Sequence, residues 1–226
     1  MSVALVIFAA TLVASLAGLY ARPQIIERSL FRPYWFLRRR QYDTIVTSGF
    51  VHADLPHLLF NMVTFWFFAF PLEQQVGPVR FAVLYLLGLV VSDLGTYFKH
   101  RHDPQYASLG ASGAISAVLF AAIVYFPWMS LFIIPIPLPI PAPLFAVAYL
   151  AYTVWASRQS RGRINHDAHL GGALAGIAFV LLLEAPREKV HAQAFNIGAS
   201  AENYRIRELA EIVGETIPGC EVTFAQ

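Results

Sequence analysis

Cysteine occurs once in the 226 residues, at Cys220, so no disulfide can close within the chain. Charge is scarce as well: Asp, Glu, Lys and Arg make up 13% of the residues, against about 25% in ordinary soluble domains. Because 57% of the residues are hydrophobic, too little polar material remains to clothe a water-soluble surface, and the chain reads as a membrane protein. A net charge of +2, with the basic residues dispersed among loops, is too small to suggest a nucleic-acid surface. No H-E-x-x-H occurs, and no G-x-G-x-x-G follows a strand-like run, so neither a zincin helix nor a dinucleotide fold is signalled.

What is abundant is apolar sequence. Set against the ~20 residues a helix needs to span a bilayer, six runs emerge: 2 to 20, 55 to 72, 79 to 98, 110 to 126, 142 to 157 and 168 to 184. The last three are short, which suits helices that tilt, start below the surface or are shielded by neighbours. The first run has no basic segment ahead of it and no small-residue cleavage pattern before Arg22, so it is predicted to be an uncleaved anchor. Residues 21 to 54, with "FRPYWFLRRRQYD", read either as an interfacial segment or as an ordinary basic loop. Asp54 is a suitable N-cap for the second helix, with Pro56 in its first turn, and Glu73 to Pro78 should form the next turn. Prolines at 135, 137, 139, 141 and 143 forbid a helix and predict an extended, polyproline-like connector.

Composition changes near Glu184, giving a membrane domain over 1–185 and a linker with a soluble tail over 186–226. In the tail, "AFNIG" reads as a short strand and 204–217 as an amphipathic helix. So short a segment cannot readily bury a core of its own.

Polar groups inside spanning runs are costly and point to function. His57 and Asn61 stand at i and i+4 on one face of the second helix, Ser112 lies between Gly110 and Gly113, and His169 opens the last apolar run. Each has a plainer reading. A serine can bond its own helix's i−4 carbonyl, and a His/Asn pair can join two helices. Gly172 and Gly176, however, form a thin face on the helix of His169, and Gly113, Ala114 and Ala117 form another on that of Ser112. If these faces meet, the set contains a nucleophile, a base able to activate it, and donors of the type that stabilise an oxyanion.

The segments "SGFVHADLPHLLFNM", "LGASGAISA" and "HDAHLGGALAG", on the second, fourth and sixth runs, resemble the rhomboid family of intramembrane serine proteases over about residues 1 to 185. The resemblance implies an all-α polytopic membrane protein, a six-transmembrane-helix bundle to which the tail adds a short α/β-like extension. It implies Ser112 as nucleophile, His169 as general base, and His57 and Asn61 as side-chain oxyanion donors beside the Ser112 backbone N–H. Gly110 and Gly113 would shape the loop and helix start, with Gly172 and Gly176 supporting the helix contact; His52 would be structural and His166 supporting. No metal or organic cofactor is implied. The expected partners are single-pass transmembrane substrates and the lipid bilayer, in a bacterial inner membrane. The alternatives are a pseudoprotease that binds transmembrane helices without cutting them and a metal or haem protein using His52, His57, His166 and His169.

Two departures from the family pattern stand out. Some members carry an aromatic residue one turn after the nucleophile, packed on the histidine, where this chain has Ser116; and Trp35 is followed by Phe36 where an Arg is common. Two signals for orientation disagree. Loops one, three and five carry 6, 2 and 3 Lys or Arg, which by the positive-inside rule places the site in the cytoplasm, whereas the resemblance implies the opposite side. The tail is similar to the end of extended short-chain dehydrogenase/epimerase proteins, but no NAD site is available in it alone.

Overall fold

A computed structural model of the chain describes residues 2–133, 136–159 and 164–186. The strand and helix expected in the tail, and Cys220, lie outside the described residues. Every element below belongs to one compact unit, Met1–Glu184.

Helix α1 (Val3–Leu16) runs on through a π-helical turn to Ala21. Loop one then folds into three short helices, α2 (Gln24–Ser29), α3 (Pro33–Arg38) and α4 (Thr44–Thr47). There follow α5 (Leu55–Val76), α6 (Pro78–His100), α7 (Ser112–Tyr125), α8 (Ala142–Gln159) and α9 (His166–Glu184). Helices thus occupy all six apolar runs. Among the described residues, four are long and apolar enough to cross a membrane: Val3–Ala21, Leu55–Val76, Pro78–His100 and His166–Glu184. With only 14 residues, α7 extends about 21 Å, short of a ~30 Å hydrocarbon layer.

The bundle is built around α7. Every residue from Gly113 to Ile123 is buried, as befits a helix apolar on all sides. Its largest contact is with α9, and α5 and α6 pack against its other sides. Large apolar side chains such as Phe67 and Val147 lie exposed on the outer helices, an arrangement that suits lipid rather than water as the surrounding solvent.

Asp54 caps α5, its carboxylate accepting from the His57 N–H at 2.9 Å, and Pro56 occupies the first turn. The turn expected over Glu73 to Pro78 is shorter than predicted. Despite Pro71, α5 continues to Val76, and Gly77, with φ 84°, alone separates it from α6. This extra turn carries the buried Glu73 carboxylate to the start of α1, where it accepts from the Ser2 hydroxyl and from the Val3 N–H at 2.6 Å. Helix amides lacking intrahelical partners thereby gain an anion.

The proline-rich connector is extended but not an isolated polyproline segment. It forms an antiparallel hairpin of β1 (Ser130–Ile133) and β2 (Ile136–Pro141), with Ser130 opposite Pro141 and Leu131 opposite Ile140. The period-two spacing explains this outcome. Pro137, Pro139 and Pro141 fall on one edge of β2, leaving the intervening N–H groups on the other edge for pairing, whereas Pro143, expected in the extended connector, sits in the first turn of α8, where its missing N–H costs nothing.

Candidate active site

The seam before α7 is tied to loop one by backbone bonds. Phe31 and Ser108 exchange N–H···O bonds of 2.9 Å in each direction, and the Gly110 N–H donates to the Ser48 carbonyl at 2.9 Å. Gly110 takes φ 117°, a conformation open to glycine, and a Cβ there would stand 2.6 Å from the His57 ring. The turn delivers Ser112 as the first residue of α7, where the first backbone N–H groups have no intrahelical acceptor.

His52 holds this turn from below. Its Nε2 accepts the Ala111 N–H at 3.4 Å, so its proton is on Nδ1, which donates to Ser15 Oγ at 2.9 Å; that hydroxyl donates onward to the Phe50 carbonyl at 3.1 Å. Burial, reinforced by the neighbouring His57, holds the imidazole down at about 3 from its ordinary 6.5. An unfolded chain takes up a proton below about 6.5, whereas folded His52 refuses it until about 3. Stability from this residue is therefore complete above 6.5 and lost progressively as pH falls towards 3. Thermal unfolding in detergent from pH 7 to pH 4 should show a falling midpoint, with a flatter profile in His52→Gln; parallel profiles would remove His52 as the cause.

The start of α9 is positioned independently. Asn165 Oδ1 accepts the Ala168 N–H at 3.1 Å while its Nδ2 donates to the buried Thr96 Oγ1 of α6 at 2.8 Å. Lys99 adds an ion pair to Asp167 at 2.7 Å. Further along, α9 meets α7 backbone to backbone, Gly172 against the Gly113 carbonyl and Gly176 against that of Ala117.

These constraints bring Ser112, His169, His57 and Asn61 to the wall of one cavity of about 890 Å³, which His166 and Lys99 also line. Asn61 is buried; the His57 ring sits edge-on to His52, with centroids 4.8 Å apart. His169 Nδ1 lies 3.1 Å from the hydroxyl of Tyr149 on α8. His166 stands edge-on to His169 and Tyr152, at 6.0 and 5.4 Å. Among the described residues, no three His, Cys, Asp or Glu side chains group as a metal-ligand set. In loop one the Arg39 guanidinium lies 3.8 Å over the Trp35 ring.

Asn165, Thr96, Lys99 and Tyr149 escaped the sequence reading. For Asn165 a signal existed, an Asn ahead of an apolar run with Asp167 in the first turn. Nothing local marked Tyr149, which reaches His169 through the packing of α8 on α9.

A polytopic helical bundle with a polar serine-and-histidine cavity at the ends of its helices defines a class of intramembrane protein. Residues 39–186 match the Rhomboid domain family, and the chain belongs to it. It is 34% identical over 138 residues to presenilin-associated rhomboid-like protein A, mitochondrial, of Danio rerio, covering 60% of this chain and 36% of that protein. Identity to RHOMBOID-like protein 12, mitochondrial, of Arabidopsis thaliana is 29% over 155 residues, covering 60% and 45%. With rhomboid protein 1, mitochondrial, of Saccharomyces cerevisiae it is 29% over 175 residues, covering 70% and 48%. The matched part thus spans between about a third and a half of these relatives. The chain is an integral membrane protein of this family.

Proposed function

We propose that the chain is an intramembrane serine endopeptidase that cuts transmembrane segments with a Ser112–His169 dyad. The observation that carries the reading is the single cavity lined by Ser112, His169, His57 and Asn61, beside a backbone-close contact of the two helices that supply nucleophile and base. His169 accepts the Ser112 hydroxyl proton as Oγ attacks the scissile carbonyl carbon. The oxyanion is met by the Ser112 N–H at the helix start and by the His57 and Asn61 side chains. As the C–N bond breaks, His169 returns the proton to the leaving amine; water, deprotonated by the same imidazole, then hydrolyses the acyl-enzyme.

Six helices, α1 and α5 to α9, would cross the membrane, with the short central α7 starting below its surface. A substrate helix would have to unwind at the cavity, where water is available. Single-pass membrane proteins are the proposed substrates, and residues 186–226 a linker with a soluble extension. The bacterial inner membrane remains the proposed location, beside relatives whose names place them in mitochondria.

A fluorophosphonate probe tests the dyad without a known substrate. The purified wild type should be labelled covalently at Ser112, and His169→Ala should lose the label because the hydroxyl is then no longer activated. Absence of labelling in folded wild type would favour the pseudoprotease.

A further inference from the structure

Tyr149 projects from α8, a helix outside the three motif segments, and its hydroxyl bridges two site elements: His169 Nδ1 at 3.1 Å and Ser116 Oγ at 3.5 Å. Its ring lies within 14° of parallel to the imidazole, with centroids 6.4 Å apart. Phe120 and Phe145, each with its ring centroid 5.5 Å away, pack against it and fix its position. Ser116 stands one turn after Ser112 on the same face of α7. Its small side chain leaves room for the phenol to reach in from the neighbouring helix.

The chemistry of a histidine base gives this contact a direction. To accept a proton from Ser112, Nε2 must carry the lone pair, so the ring proton must reside on Nδ1. A phenol oxygen beside Nδ1 can accept that proton in a hydrogen bond while its own O–H donates to Ser116. We propose that Tyr149 is the positioning residue of His169, holding the ring in its Nδ1–H form through the chain His169 Nδ1–H to Tyr149 Oη–H to Ser116 Oγ. It does from α8 what a carboxylate does for the base of a soluble serine protease, without placing a second charge in the membrane. The proposal rests on the protease reading for its consequence, though not for its geometry.

The test combines kinetics with nitrogen NMR of the full chain labelled with 15N-histidine in detergent, the His169 signal being assigned by its loss in His169→Gln. The wild type should show His169 in the Nδ1–H form. Tyr149→Phe keeps the ring and removes the hydroxyl; it should yield a tautomer mixture, and kcat on a single-span substrate should fall on the order of 10- to 100-fold, the range for losing one hydrogen bond to a charged group, with KM little changed. Ser116→Ala, which leaves the ring packing intact, should shift the tautomer in the same sense by less. A wild-type Nε2–H form, or a tautomer unaltered in Tyr149→Phe, overturns the positioning role whether or not the protein cleaves. The Nδ1–H form in a wild type that cleaves nothing supports the positioning role and overturns the protease reading alone.

Discussion

Ser112→Ala should abolish cleavage of a single-span membrane substrate, lowering the rate by about four orders of magnitude or more, the scale seen when a serine nucleophile is deleted. The size of the loss follows from the site. Oxyanion donors and substrate binding would survive the substitution, but they stabilise a transition state that no longer has an attacking oxygen. Water could substitute only if His169 and the donors happened to align it, and the residual rate would then belong to that water. His169→Ala should be as severe, because an unactivated hydroxyl at neutral pH is a poor nucleophile. Cleavage of a purified fluorescent transmembrane substrate in proteoliposomes is the measurement, with both variants shown to melt like the wild type. Undiminished cleavage in either would remove the dyad.

How far such a site can be read from sequence depends on which residues act locally. Asp54 and Pro56 announced the start of α5 because capping and proline placement are properties of one turn. Gly172 and Gly176 announced a close helix contact because their spacing alone defines a thin face, and that face lies against Gly113 and Ala117. The extension of α5 past Pro71 was illegible, since the contact its last turn makes, Glu73 with the start of α1, joins residues some seventy apart in the chain. Alternating prolines excluded a helix but did not reveal that β1 would pair with the non-proline edge. Tyr149 is the sharpest case. Ser116 signalled only that an aromatic was missing, and the tyrosine that stands beside it and His169 comes from another helix by tertiary packing.

The second large effect lies in that helix contact. A Cβ at Gly172 would overlap the Gly113 carbonyl oxygen, and one at Gly176 would overlap that of Ala117. In both places the obstacle is backbone, so no side chain can rotate away and α9 must separate from α7. Overpacking a closed core typically costs about 1–3 kcal/mol, and Gly176→Val should reach the upper part of that range. Gly172→Ala should be milder in stability but severe in rate, since His169 stands one turn before Gly172 and Ser112 beside Gly113. A displacement of ~1 Å between nucleophile and base can cost on the order of 100-fold. Gly95→Ala is the control, because the nearest atom to its added Cβ, the Asp167 carbonyl oxygen, is 3.8 Å away. Thermal unfolding and cleavage should therefore separate the three: Gly95→Ala close to wild type, Gly172→Ala folded but slow, Gly176→Val both unstable and inactive. A Gly172→Ala protein with wild-type melting and rate would mean that the α7–α9 backbone contact does not set the distance between Ser112 and His169.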